Sequence, residues 1–146
     1  MSDMGAEHIE VAIKESLLGV DSGDKRVGIA IKPKDRVAAE PVCVLENSTN
    51  IYSRIFDLVK ENNIDTVVVG LPRDINGNET AQTRKARHFA GELADKTDLH
   101  IVLHDEFATS ERARQKLGKV TRNQEKSQLD AAAAAVLLDD YMESMV

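Results

Sequence analysis

Residues 17–31 read Leu17-Leu18-Gly19-Val20-Asp21-Ser22-Gly23-Asp24-Lys25-Arg26-Val27-Gly28-Ile29-Ala30-Ile31. Two apolar runs flank a polar turn at residues 22–26, which predicts a strand, a tight turn and a second strand. Asp21 ends the first run, where a carboxylate is a poor strand residue. Gly19, Gly23 and Gly28 leave space around it for a backbone, a phosphate or a metal ion. Because departures from local rules often mark functional sites, Asp21 is the first candidate site residue.

The composition is typical of one soluble domain with an aliphatic core. The chain has 146 residues, of which 42% are hydrophobic and only 3% aromatic. A row of stacking aromatic residues is therefore excluded as a nucleic-acid platform. A single cysteine, Cys43, excludes an internal disulfide and a cysteine-based zinc site, and its apolar neighbours predict a buried strand position.

The charge is unevenly distributed along the chain. The formal net charge of −6 argues against a nucleic-acid partner, but acidic residues concentrate at the two ends, and residues 112–126 form a basic segment with a net charge of about +5. No apolar run is long enough to span a membrane, and residues 1–15 lack a signal-peptide pattern. We therefore expect a cytoplasmic protein without a membrane partner.

Hydrophobic periodicity and turn residues predict the order β-β-β-α-β-α-β-α-α, which indicates an α/β fold with a mixed sheet and helices on its faces. Three strands with short connections come first, followed by alternating helices and strands. The predicted strands are 17–21, 27–32, 41–45, 64–71 and 99–104. The predicted helices are 51–63, 79–96, about 109–117 and about 124–142, with loops at 72–78 and 118–124.

Three carboxylates are candidates for one metal centre. Asp21 and Glu106 end predicted strands, and Asp130 opens the last predicted helix, followed by five alanines that allow close packing. Ligand sites lie at strand ends in open α/β sheets. Converging carboxylates need a cation or a shared proton, and oxygen ligands select Mg²⁺ or Mn²⁺. Acidic residues are common as turn formers and helix caps, so each residue taken alone is more often structural than catalytic.

Four segments resemble, in order and spacing, the YqgF/RuvX family of Holliday junction resolvases, which is also described as maturing precursor small-subunit ribosomal RNA. The matching segments are Gly19 to Ala30, Val67 to Pro72 with the loop to Gly77, Asp105 to Ser110, and Lys126 with Asp130 to Leu138. The match covers about residues 16–142. Two features depart from the family pattern: the N-terminal extension, and Arg73 with Asp74 after Gly-Leu-Pro.

The resemblance implies a ribonuclease H-like fold: a five-stranded mixed sheet, antiparallel over its first three strands and parallel for the last two, with helices on both faces. It implies a single nuclease domain at 16–146, and residues 1–15, which fall outside the family pattern, are an N-terminal extension that we expect to lack fixed order. By position, Asp21, Glu106 and Asp130 are the expected catalytic and metal-binding residues, with two Mg²⁺ or Mn²⁺ ions.

The resemblance predicts a nuclease that hydrolyses phosphodiester bonds of structured nucleic acid. The expected substrate is the 5′ end of a 16S ribosomal RNA precursor or a Holliday junction. A junction resolvase would be expected to be a homodimer, because it cuts two strands, whereas an enzyme that trims RNA can act as a monomer. A non-catalytic nucleic-acid-binding module with the same fold is the alternative. An actin-like ATPase or kinase is less favoured, because it needs two such domains.

Basic residues near these motifs are the candidate nucleic-acid contacts, against the alternative of solvated surface charges. The candidates are Lys25, Arg26, Arg73, Arg84, Arg112, Arg114 and Lys126, with Lys85 and Arg87 beside them. Arg87 has acidic neighbours, Glu79 and Glu92, as alternative partners. His104 is a candidate acid or base, or else a strand-end hydrogen-bonding group.

Overall fold

The computed structural model describes residues 14–106 and 122–145, with side chains from residue 128 onward in the second range. Five strands and three helices follow one another in this part of the chain. The strands are β1 (Leu17–Ser22), β2 (Arg26–Lys32), β3 (Glu40–Glu46), β4 (Thr66–Pro72) and β5 (Ile101–Glu106). The helices are α1 (Ile51–Glu61), α2 (Ala81–Lys96) and α3 (Arg122–Glu143).

The strands form one mixed sheet in the order β3-β2-β1-β4-β5. β1 pairs antiparallel with β2, and β2 with β3, whereas β4 is parallel to both β1 and β5. The short turn after Ser22 makes the first pairing antiparallel, since Gly23 donates its N–H to the Arg26 carbonyl at 2.8 Å. The helical crossovers α1 and α2 make the later pairings parallel. The predicted mixed sheet with helices on its faces is confirmed.

The first face of the sheet packs against α1 and α2. Its core consists of large aliphatic and aromatic side chains, listed here by element: Leu18 and Val20, Val67 and Val69, Ile51 and Ile55, Phe89 and Leu93. Asn63 adopts a left-handed conformation (φ 52°) after α1 and turns the chain into β4. This face supplies most of the burial of large apolar side chains.

The second face is covered by α3, whose residues from Ala131 to Leu138 are buried. Leu17, Ala30 and Val68 of the sheet belong to the same buried cluster as Ala134 and Leu138. Small side chains allow the helix to lie close to the strands. Among the residues that the structure describes, no helix combines the length and the apolar character needed to cross a membrane.

Several element boundaries differ from the sequence prediction. β4 begins at Thr66, two residues later than predicted, and β5 extends to Glu106, past the predicted end at His104. α3 begins at Arg122, so residues 122–124, predicted as loop, are helical, and Asp130 lies within the helix instead of opening it. The run of charged and polar residues there resembled a loop because it lacks apolar periodicity. The N-terminal extension and the helix predicted at 109–117 lie outside the described residues, apart from Lys14 and Glu15.

Candidate active site

Asp21, Glu106 and Asp130 lie on the side of the sheet that α3 covers. Asp21 is on β1 opposite Gly28 of β2, and Glu106 ends β5 opposite Pro72 of β4. Alternation along the strands places Asp21 on the same face as Leu17, which packs against α3. The strand-end positions of the two acidic residues therefore bring them to one edge of the sheet.

Glu106 reaches across β4 because Gly70 has no side chain. β4 lies between β1 and β5, so Asp21 and Glu106 stand on strands that are not direct neighbours. A Cβ atom at Gly70 would lie 2.5 Å from the Cδ and Oε2 atoms of Glu106. The glycine thus provides the space in which the Glu106 carboxyl lies beside Asp21, with which it shares a hydrogen bond.

This pair of carboxyl groups is electrostatically strained. Burial first, and then the charge of Asp130, raise the pKa of Asp21 from 3.8 to about 6. The hydrogen bond with Glu106 lowers this pKa and so opposes the other two effects. Burial first, and then Asp21, raise the pKa of Glu106 well above its usual value. The raised pKa values mean that two ionised carboxylates repel each other here, and a divalent cation between them would relieve that repulsion.

One oxygen of Glu106 is buried without a partner. Within the described residues, Oε1 of Glu106 makes no hydrogen bond, although the side chain is only 5% exposed. Buried polar atoms are normally satisfied, and an orphaned carboxylate oxygen beside a second carboxyl group is a donor set that fits Mg²⁺ or Mn²⁺. The residues present are therefore compatible with a hard divalent cation.

Asp130 approaches the pair from α3. An ideal Cβ at Gly28 would lie 1.9 Å from the Asp130 carbonyl oxygen, so the helix backbone rests directly on β2 at this glycine. The Asp130 carboxylate accepts a hydrogen bond from Arg26 Nε at 2.7 Å. In the part of the chain that the structure describes, no three acidic, histidine or cysteine side chains are close enough to hold one ion. Asp130 thus stands near the pair, held by Arg26.

A fourth carboxylate, Asp140, was missed by the sequence reasoning. Its charge contributes to the raised pKa of Glu106, after burial and the effects of Asp21. Asp140 follows the alanine and leucine run of α3, where the sequence shows only a second acidic residue after Asp139. Nothing in the local sequence indicated that the charge of Asp140 would act on Glu106.

The basic candidates differ in their surroundings. Arg73 is mostly covered: its Nε donates to Asp105 at 2.9 Å and its Nη1 to the Gly77 carbonyl at 3.3 Å. Arg87 pairs with Glu79 at 3.1 Å, and Lys85 with Asp24 at 3.0 Å. Lys25 and Arg84 are exposed.

Two further groups of candidates need separate mention. Arg112 and Arg114 lie outside the described residues, as does the side chain of Lys126. His104 packs edge-on against the Tyr141 ring, with ring centroids 5.7 Å apart. Cys43 lies on β3, partly exposed, and burial raises the pKa of its thiol.

A groove of about 490 Å³ opens beside the hairpin turn, on the α1 and α2 side of the sheet. Ser22 and Gly23 line one wall and Arg84, Lys85 and His88 of α2 the other. The groove therefore joins the strand end that carries Asp21 to exposed cations on α2, where a phosphate backbone can lie.

Comparison with known proteins gives consistent results along most of the chain. A sequence profile of the family described as "RuvX: Holliday junction resolvase" matches residues 15–144. A provisionally named pre-16S rRNA nuclease of Orientia tsutsugamushi (strain Ikeda) is 34% identical over 136 residues, which cover 91% of this chain and 87% of that protein. Another, from Rhodopirellula baltica (strain DSM 10527 / NCIMB 13988 / SH1), is 38% identical over 132 residues, covering 88% and 76%.

Solved structures share the fold at low sequence identity. T. thermophilus RuvC in complex with Holliday junction substrate matches with a TM-score of 0.55 and 16% identity, covering 89% of this chain and 94% of that one. The Fowlpox virus resolvase in complex with Holliday junction DNA matches with a TM-score of 0.55 and 16% identity, covering 90% and 99%. These similarities show a common architecture.

Proposed function

The chain belongs to the RuvX family of Holliday junction resolvases, and we propose that it is a divalent-metal-dependent nuclease acting on structured nucleic acid. The resemblance predicted from the four sequence segments is thereby confirmed, and the alternative of a non-catalytic binding module is not favoured. The observation that carries the proposal is the Asp21–Glu106 pair, in which the buried Glu106 carboxylate has an oxygen without a partner among the described residues.

Each acidic residue has a distinct part in this proposal. Asp21 and Glu106 supply carboxylate oxygens at the sheet edge, and Asp130 adds a third carboxylate from α3. Bound Mg²⁺ or Mn²⁺ ions, two in the proposed centre, supply water activation and neutralise charge at a scissile phosphate. The slot at Gly70 and the contact at Gly28 hold the carboxyl groups in place before substrate arrives.

The proposed substrate is the 5′ end of a 16S ribosomal RNA precursor. Relatives with 34% and 38% identity are provisionally named pre-16S rRNA nucleases, whereas the junction-bound structures match at only 16% identity. A four-way DNA junction is the second candidate, supported by the family description. The role in ribosomal RNA processing also supports the proposed cytoplasmic location.

Nucleic-acid contacts are proposed on two sides of the centre. Lys25 and Arg84 are exposed near the hairpin turn and can attract a phosphate backbone. Arg112, Arg114 and Lys126 remain predictions from the sequence. Arg73, which is bonded to Asp105 and Gly77, is better suited to holding the 73–79 loop than to a direct phosphate contact.

The test is a cleavage assay with Mn²⁺ or Mg²⁺ on an RNA precursor and on a DNA junction. Asp21→Asn and Glu106→Gln should each lower the cleavage rate by at least about a hundredfold while folding is retained. Asp24→Asn is the matched control, because Asp24 lies in the same hairpin but is exposed and paired with Lys85. Its rate should stay close to that of the wild type.

Each outcome has a defined meaning. Cleavage of RNA in preference to the junction supports the proposed substrate, and the reverse supports the second candidate. An Asp21→Asn protein that cuts as fast as the wild type contradicts the proposed centre. Binding of both nucleic acids by the wild type without cleavage in either metal would favour the non-catalytic module.

A further inference from the structure

The ion pair between Arg26 and Asp130 joins the hairpin to α3 at the candidate centre. Arg26 Nε lies 2.7 Å from Asp130 Oδ2, and the two side chains are 42% and 31% exposed. Arg26 begins β2, two residues before Gly28, the residue on which the Asp130 backbone rests. The guanidinium therefore lies at the edge of the carboxylate site, where an entering cation would also lie.

The surrounding cations are paired with acidic residues outside this centre. Lys85 bonds to Asp24, Arg73 to Asp105, and Arg87 to Glu79. Arg26 differs from them because its partner is one of the three candidate metal ligands. Its position makes it a competitor for the same oxygen that a metal ion would use.

Arg26 supplies the positive charge that neutralises Asp130, through the hydrogen bond from its Nε to Oδ2. This arrangement agrees with the absence, among the described residues, of a three-ligand cluster. Arg26 holds Oδ2 of Asp130, so a divalent cation that takes this oxygen competes with the guanidinium, because two cationic groups beside one oxygen repel each other.

We propose that Arg26 is a resident counter-charge that holds Asp130 until a divalent cation binds, and that it then releases Asp130 and contacts a phosphate of the nucleic acid. This inference rests on the proposed metal-dependent function. A guanidinium suits both positions, since its donors match the geometry of a carboxylate and of a phosphate. Release also moves a positive charge toward the place where the substrate backbone arrives.

The first test measures Mn²⁺ binding to the full-length, metal-free protein by isothermal titration calorimetry. Arg26→Gln removes the competing donor, whereas Lys25→Gln removes an equal charge from the adjacent, exposed position. We expect Arg26→Gln to tighten the Kd for Mn²⁺ about threefold or more beyond the effect of Lys25→Gln, since a half-exposed ion pair is worth a few-fold in an equilibrium constant. Equal effects of the two substitutions, or weaker binding by Arg26→Gln, would overturn the proposal.

The second test follows the wild-type protein by NMR and uses a variant only to assign the signal. In ¹⁵N NMR spectra of the wild type, the Nε–H signal of Arg26, assigned by its loss in Arg26→Gln, should shift as Mg²⁺ is added, because the bond to Asp130 breaks. A signal that stays unchanged while Mg²⁺ binds would overturn the proposal and leave the metal-dependent function intact. A wild-type protein that binds neither Mg²⁺ nor Mn²⁺ would overturn both.

Discussion

The two faces of the sheet differ in how closely their helices approach the strands. The face toward α1 and α2 buries Ile51, Phe89 and Leu93 against strand valines and leucines. The face toward α3 combines alanines with leucines, and the helix backbone touches β2 directly at Gly28. Large side chains on the first face contribute apolar burial, while small residues on the second bring Asp130 close to the strands. We therefore expect substitutions on the α1 and α2 face to affect mainly stability, and substitutions on the α3 face to affect mainly the candidate site.

The largest effect on the cleavage rate is expected where α3 meets the sheet. Gly28→Ala places a Cβ about 1.9 Å from the Asp130 carbonyl oxygen, and a backbone atom cannot move aside without the helix moving too. We expect a loss of about 1–3 kcal/mol in the free energy of unfolding and a fall of about a hundredfold in cleavage rate. Urea unfolding and the cleavage assay measure the two effects.

Gly91→Ala is the matched control for this substitution. A Cβ at Gly91, in α2, meets no atom within 4 Å. Since alanine favours a helix over glycine by about 1 kcal/mol, this variant should be slightly more stable and cleave at the wild-type rate. Equal losses of activity in both variants would contradict a special role for the α3 contact.

The second prediction concerns the opposite face. Leu93 of α2 is fully buried among large side chains, so Leu93→Ala should cost about 2–5 kcal/mol of stability. The rate per folded molecule should remain near that of the wild type, because α2 does not support the Asp21–Glu106 pair. A strong loss of activity in protein shown to be folded by circular dichroism would break the comparison between the two faces.

The hairpin and the strands could be predicted from the sequence because the signals that mark them lie within short stretches of the chain. Apolar runs on either side of 22–26 predicted β1 and β2, and the valines at 67–69 predicted a strand buried on both faces. Asp21 stood out because it violates strand propensity. The family resemblance then supplied the ribonuclease H-like fold as a whole, which local patterns do not contain.

The features that the sequence did not predict depend on contacts between residues that are far apart in the chain. Gly70 accommodates Glu106 only because β4 lies between β1 and β5, and nothing in the local sequence marks it for that purpose. The Arg26–Asp130 pair joins residues 104 positions apart. Asp130 lies inside α3 and not at its start, because the helix extends back through charged residues that lack apolar periodicity.

The last prediction concerns the α3 face and has no expected change in cleavage rate as its readout. It is a dependence of the free energy of unfolding on pH. The pKa of Asp21 is raised to about 6 in the folded protein, so the folded state keeps a proton that the unfolded chain has lost above about pH 4. The associated stability is present at low pH and is lost as the pH rises through about 6. In EDTA, Asp21→Asn should therefore exceed the wild type by about 1–3 kcal/mol at pH 7.5, and by less at pH 5.

Urea unfolding at the two pH values measures this difference, and Asp24→Asn is its control. Hydrogen bonds from Lys85 and then Gln82 lower the pKa of Asp24, so that variant should gain no stability at pH 7.5. Adding Mg²⁺ at pH 7.5 should stabilise the wild type and leave Asp21→Asn almost unchanged, because the proposed metal site includes the Asp21 carboxylate and a ligand stabilises the folded state that binds it. A stability gap that is independent of both pH and Mg²⁺ would mean that the strain comes from packing on the α3 face, and that the carboxyl pair is not its source.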